Sequence, residues 1–293
     1  MIKVRVIDLN LISFDLKDFK NVYYKRKGAK WLPFLFILLS HLGFGQMNLS
    51  GKSGLMYIPD AKEIDTGGFR LGYNYNPVDY GLRGKGLNPE NILFFNLAVV
   101  NRLELNLSFL KMVSTEKRKV KEALGDRQLD VRYLLFKEKR KWPSVAIALS
   151  TPFTIDAAML TQVIVATKHF KLSENIDLEA TAGYGSPYFL YRAEDNLTNS
   201  NIFSNMKWQK KSEYKYNNGY LTGPFGGVKL EYQKKAGLMA EWDSQKLNVG
   251  AYGIIGKRWT VQAGLLNFDQ VMFGSSFAMD LFKPTTKVKK LYE

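Results

Sequence analysis

DRQLDVRYLLFKEKRKWPSVAIALSTPFTIDAAMLTQVIVATKHF, residues 126–170, alternates apolar and polar residues in successive runs. Leu129, Val131, Tyr133 and Leu135 alternate with Gln128, Asp130, Arg132 and Leu134, the two-residue period of a strand with one apolar face and one mostly polar face. Trp142-Pro143 closes a short basic turn; Val145, Ile147 and Leu149 resume the alternation, and Val163 and Val165 carry it a third time. Three long strands therefore follow one another.

Along the whole chain the same pattern predicts about 12 strands, at 69–75, 92–100, 103–112, 127–136, 144–151, 162–170, 176–184, 225–232, 237–243, 246–254, 258–266 and 271–282. Their connections alternate in length. Long ones at 76–91, 113–126, 152–161 and 185–224 are interleaved with short ones at Asn101-Arg102, 137–143, 171–175, 233–236 and Gly256-Lys257. Outer-membrane barrels have this asymmetry, with short periplasmic turns and longer outer loops. Several runs reach the length that crosses a bilayer, and closing the sheet satisfies every backbone donor and acceptor in hydrocarbon. The expected fold is all-β, a transmembrane antiparallel up-and-down β-barrel. One connection departs from the pattern, since Ser244-Gln245 is tiny where an outer loop is due.

Aromatic residues fall where headgroup girdles belong. Phe136, Trp142, Phe170, Tyr232, Trp259 and Phe282 are expected at the periplasmic rim, and Tyr75, Tyr184, Phe225 and Trp242 at the outer one. The 293 residues suit a single barrel, and a mean hydropathy of -0.21 is far below that of a helical membrane protein. Having no cysteine, the chain carries no disulfide, thiolate metal site, cysteine nucleophile or lipoprotein signal.

Residues 25–30 are basic and precede the apolar run 31–39 and Gly43-Phe44-Gly45, the layout of a secretory signal cleaved after Gly45. The expected organisation is a 1–45 extension and cleavable signal, a 46–68 periplasmic lead, a 69–282 barrel and a 283–293 polar tail. The unusual residues ahead of the signal read as a misplaced start. Leu55–Pro59 is either a first strand or a piece tucked into the barrel. The formal charge of +15 includes eight basic and three acidic groups in 1–45, so 34 basic against 24 acidic groups remain after cleavage.

The quoted stretch resembles the YjbH-type outer-membrane proteins encoded with exopolysaccharide and capsule secretion genes. The resemblance rests on Asp126, Asp130, Lys137-Glu138, Trp142-Pro143 before a strand of small and apolar residues, and Val165-Ala166-Thr167-Lys168 followed by Phe170. SGLMYIPDAKEIDTGGFRLGYNY (53–75), GPFGGVKLEY (223–232) and AEWDSQKLNVGAYG (240–253) are also similar to that family. It implies a non-catalytic scaffold or conduit that assists export or assembly of an exopolysaccharide or capsule in the outer membrane of a Gram-negative bacterium, with periplasmic polysaccharide-secretion proteins as partners.

Strand parity points Arg70, Glu104, Asn106, Asp130, Arg132, Asp177, Glu179, Lys229, Glu231, Glu241, Asp243, Lys246, Asn248, Gln262 and Asp280 into the lumen. Mixed charges there suit ion pairs that brace a filled interior; a substrate conduit is the other reading. In the longest loop, Tyr188, Tyr191, Trp208, Tyr214 and Tyr216 are interleaved with Lys210 and Lys211, a composition suited to stacking on sugar rings and meeting lipopolysaccharide phosphates or an acidic polysaccharide. The alternative is a loop whose aromatics pack on the barrel mouth. Nucleic acid is not an expected partner of a secreted membrane barrel, and no cofactor is expected.

For catalysis, His169 is expected on the lipid-facing parity of Val163 and Val165, away from any Ser-His-Asp device. Gly223-Pro224-Phe225-Gly226-Gly227 lacks the Lys-Ser/Thr pair of a phosphate loop. The chain is thus read as no enzyme. Its rivals are a general porin or small-solute channel, a barrel lipid hydrolase and a soluble β-protein.

Overall fold

The computed structural model describes residues 46–116, 118–121, 125–153, 158–192 and 205–281. The expected signal, the polar tail and Phe282 lie outside the described residues. The wall strands are β1 (Gly68–Asn76), β2 (Glu90–Val100), β3 (Leu103–Met112), β4 (Asp126–Phe136), β5 (Ser144–Ser150), β6 (Gln162–Lys171) and β7 (Ile176–Gly185). A two-stranded hairpin, β8 (Tyr188–Arg192) with β9 (Met206–Lys210), interrupts them. The wall resumes with β10 (Gly223–Tyr232), β11 (Ala236–Trp242), β12 (Leu247–Ile255), β13 (Trp259–Leu266) and β14 (Gln270–Asp280).

These 12 wall strands form a closed antiparallel barrel, with β7 paired to β10 across the hairpin and β1 paired to β14 at the seam. Sequence pattern explains the closure. In β4, Asp126, Gln128, Asp130, Arg132 and Leu134 are buried while Leu129, Val131, Tyr133 and Leu135 face outward. In β5, Ser144, Ala146, Ala148 and Ser150 face in and Val145, Ile147 and Leu149 face out. Leu71, Leu93, Leu107, Ile164, Val228, Leu238, Leu265 and Val271 extend this exposed apolar surface around the wall. An apolar exterior on a sealed, polar-lined cylinder is the arrangement of an outer-membrane barrel.

The short turns share one rim. Gln233-Lys234 (φ 50° and 55°) and Gly256-Lys257 (φ 59° and 64°) both take two left-handed residues, as the turn that matches strand twist requires. At the opposite rim the tiny Ser244-Gln245 connection closes because Asp243 Oδ1 accepts from the Gln245 and Lys246 N–H groups, each at 2.9 Å. Phe136, Trp142, Phe170, Tyr232 and Trp259 ring the short-turn rim, and Tyr184 and Trp242 the other, all exposed. Phe225 is the exception. It turns inward and is buried, seated against Gly183, where any Cβ would stand 2.3 Å from its ring.

The expected lead segment does not lie outside the barrel. Residues 46–61 fill the lumen: Met47, Leu49, Leu55, Met56, Ile58 and Asp60 are each at most 2% exposed. Leu55–Pro59 is the tucked piece, and the stretch 46–61 folds back on itself through bridges between Met47 and Ser53 and between Gly54 and Pro59. The stopper shares one apolar core with inward-facing Ile92, Leu110, Leu134, Val163, Val165, Met239 and Met272. Glycines in the wall make room for it. A Cβ at Gly227 would meet Leu55 at 2.8 Å, and Cβ atoms at Gly250 and Gly264 would meet Met56 Sδ at 2.6 and 2.5 Å.

Candidate functional site

The lumen is the site with the densest chemistry, and the stopper is bound to its wall by polar groups. Glu241 on β11 receives the tip of the stopper: Tyr57 N–H donates to Oε1 at 2.7 Å, and Met56 and Ile58 N–H donate to Oε2 at 3.0 and 3.4 Å. Asn74 donates to the carbonyls of Asn48 and Leu49 (3.0 and 2.9 Å), Asn106 to that of Ser50 (2.8 Å), and Ala61 N–H donates to the Thr167 hydroxyl (2.8 Å). Gln46 Nε2 donates to Gln262 Oε1 at 2.5 Å. A buried backbone without secondary structure needs such partners, because orphaned polar groups are costly there.

Charges meet in the same space. Lys52 Nζ lies 2.5 Å from Asp130, both 1% exposed. Arg132 pairs with Glu104, stands 3.8 Å from Asp60, and donates to the carbonyls of Asp60 (3.1 Å) and Lys62 (2.6 Å). Arg70 donates to Asn96, which bonds Glu104, so a hydrogen-bonded belt crosses β1 to β4. Lys229 pairs with Glu179 at 2.6 Å. Asp243 and Asn248 are buried beside Glu241 near the long-loop rim.

The remaining expected lumen residues sit toward the ends of strands. Glu231 accepts from the Tyr252 hydroxyl at 2.5 Å and is in register with Asp177, and both are half-buried. Asp280, half-buried, is in register with Gly68 at the seam. Lys246 is also half-buried, with its ammonium 3.8 Å from the centre of the Tyr80 ring. Burial pulls the Lys246 ammonium below its ordinary pKa.

His169 does not face the lipid. Val163 and Val165 face the stopper and not the lipid, so their parity turns His169 inward at the short-turn rim. Its Nδ1 lies 2.6 Å from Glu138 and its Nε2 3.1 Å from Glu179. Both ring nitrogens are engaged by carboxylates, an arrangement that braces the β6–β7 wall and leaves neither nitrogen to a serine hydroxyl.

The long-loop residues divide. Trp208 (69%) and Tyr188 (44%) are exposed, and Lys210, beside Glu213 at 3.7 Å, is also at the surface. Tyr191 and Tyr214 pack on the small core of Leu160 and Phe189, and Tyr216 stacks edge-on against Tyr214 with its hydroxyl 3.5 Å from Asp126. Lys211 is not a surface cation at all. It is 6% exposed, and its Nζ donates to the carbonyls of Tyr220 (3.1 Å) and Leu221 (3.3 Å). Burial, reinforced by nearby Lys52 and only partly opposed by Asp130, pulls its pKa down to about 7.

What the strand pattern missed is the stopper's binding set: Gln46, Asn48, Lys52 and Asp60. One signal for it was present. The wall residues expected inside carry more carboxylates than cations, and Lys52 in an otherwise uncharged stretch, 46–59, supplies one missing positive charge.

The chain is similar to a solved structure named KdgM porin, at 9% identity, covering 72% of this chain and 99% of that one with a TM-score of 0.38. No curated protein matches the chain. The family model described as "Exopolysaccharide biosynthesis protein YbjH" matches residues 46–291, a span that takes in both the stopper and the barrel around it. This chain, a sealed barrel stoppered by its own residues 46–61, belongs to the YjbH family of exopolysaccharide biosynthesis proteins.

Proposed function

We propose that the protein is a non-catalytic scaffold in the outer membrane of a Gram-negative bacterium, exported by a cleaved signal, that assists export or assembly of an exopolysaccharide or capsule. The observation that carries this reading is the filled lumen: with 46–61 bonded to the wall on several sides, the barrel's free surfaces are its rims and loops. Exposed Tyr188 and Trp208, with Lys210, meet the saccharide or lipopolysaccharide phosphates outside. The short turns meet periplasmic polysaccharide-secretion proteins. Deleting the gene and restoring it as wild type or as Y188A/W208A tests the assignment. Surface polysaccharide is expected to fall in the deletion and to return only with the wild type. Unchanged polysaccharide in the deletion overturns the role, and full restoration by the variant overturns the loop contact.

A second reading, a small-solute channel, is favoured by the polar lining behind the stopper, where Arg70, Glu104, Asp130, Arg132, Glu179 and Lys229 would edge a water path if residues 46–61 withdrew. Conductance separates the two.

A further inference from the structure

The β4–β5 turn carries a feature that neither the stopper nor the long loops use. Phe136 and Trp142 are 65% and 72% exposed, among the most exposed large apolar side chains of the described residues. Together with Pro143, Val145, Lys137 and Lys139 they enclose a half-open groove of about 560 Å3. A groove this size lies within the range that holds small ligands.

The groove is built rather than incidental. Lys139 and Trp142 exchange backbone hydrogen bonds at 3.0 and 3.2 Å, which closes the turn. A register irregularity between Leu134 and Phe136 marks the end of β4. Lys168 on β6 fastens the turn from the side, donating to the Lys139 carbonyl at 2.6 Å and pairing with Glu138 at 2.8 Å. The apolar floor continues into the outward face of the wall at Tyr133, Ile147 and Leu149. The turn that bounds it is cationic. Lys137 is paired with Glu63, but among the described residues no ion pair is formed by Lys139, Arg140 or Lys141, all exposed.

We propose that this groove binds one anionic phospholipid of the leaflet facing the short-turn rim, the acyl chain lying on Phe136, Trp142 and Val145 and the phosphate held by Lys139, Arg140 and Lys141. The chemistry selects this occupant. An apolar trough open to the hydrocarbon takes an acyl chain, while adjacent unpaired cations at headgroup level take a negative head. The inference rests on the barrel being membrane-embedded, and the test separates the two.

The test is native mass spectrometry of the full detergent-purified chain, titrated with palmitoyl-oleoyl phosphatidylglycerol, with the matching phosphatidylcholine, or with glycerol 1-phosphate. Phosphatidylglycerol is expected to bind more tightly than phosphatidylcholine, by roughly fivefold for each cation engaged. K139Q/R140Q/K141Q should abolish the preference, F136A/W142A should weaken both lipids, and glycerol 1-phosphate should bind far more weakly than either. Equal binding of the two lipids, an unchanged preference in the triple variant, or glycerol 1-phosphate binding as well as lipid would each overturn the proposal. Heat-modifiable migration of every variant reports the barrel independently. A barrel that migrates normally without lipid preference sinks this inference alone, whereas a chain that stays in solution without detergent sinks the membrane reading.

Discussion

Replacing Glu241 with alanine should unseat the tip of the stopper while leaving the barrel closed. The carboxylate takes two short N–H bonds, from Tyr57 at 2.7 Å and Met56 at 3.0 Å, and a longer one from Ile58 at 3.4 Å. Leaving a buried N–H without its acceptor costs about 1–3 kcal/mol, so losing the two short bonds costs about 2–6 kcal/mol. At about 1.4 kcal/mol per decade, exchange protection at 55–58 should fall roughly thirtyfold to ten-thousandfold. E241Q keeps one acceptor oxygen and should fall between alanine and the wild type. Hydrogen exchange followed by mass spectrometry on peptides spanning 53–60, in detergent, reads this directly, with heat-modifiable migration as the control for the wall. Unchanged protection at 55–58 in E241A, with the barrel intact, would refute the idea that this carboxylate seats the stopper.

Other perturbations act on neighbouring contacts. K52M strands Asp130 in the lumen with Gln128 and Ser150 as its donors among the described residues; removing one partner of a buried pair costs about 3–5 kcal/mol, and K52M/D130N should recover part of that in the denaturant midpoint. G264V places a Cβ 2.5 Å from Met56 Sδ, too close for contact, so it should lower the denaturant midpoint and M56A should restore part of the loss. Lys211 has a folded pKa of about 7 against an ordinary 10.5, so the undocked loop binds more protons between these values. Docking therefore strengthens as pH rises from 7 toward 10, by up to about tenfold per unit. A fluorophore on S212C should report this trend, and K211M should abolish it; a flat wild-type profile would contradict the buried lysine.

The barrel was legible because its information is local. Alternation in β4 and β5, together with the alternating long and short connections, places all 12 wall strands, with ends shifted by one or two residues. The stopper was not legible by the same means, since residues 46–61 have no period and are held by contacts with strands far away in sequence, such as Met56 with Glu241. Its presence also explains the misplacement of His169. Reading apolar parity as lipid-facing fails wherever the lumen itself is apolar, and Val163 and Val165 line it against the stopper. Phe225 was assigned to the outer girdle by its place at a strand end, although Gly183 across the β7–β10 pair leaves the space that draws it in. Lys211 looked like one more loop cation because nothing in its neighbours foretells that the Tyr220 and Leu221 carbonyls capture it.

Planar-bilayer conductance tests the stoppered barrel most directly. The wild-type protein should insert without steady current, and a chain lacking residues 46–61 should insert with a heat-modifiable barrel and conduct. Steady porin-like current from the wild type, unchanged by removing 46–61, would contradict the account.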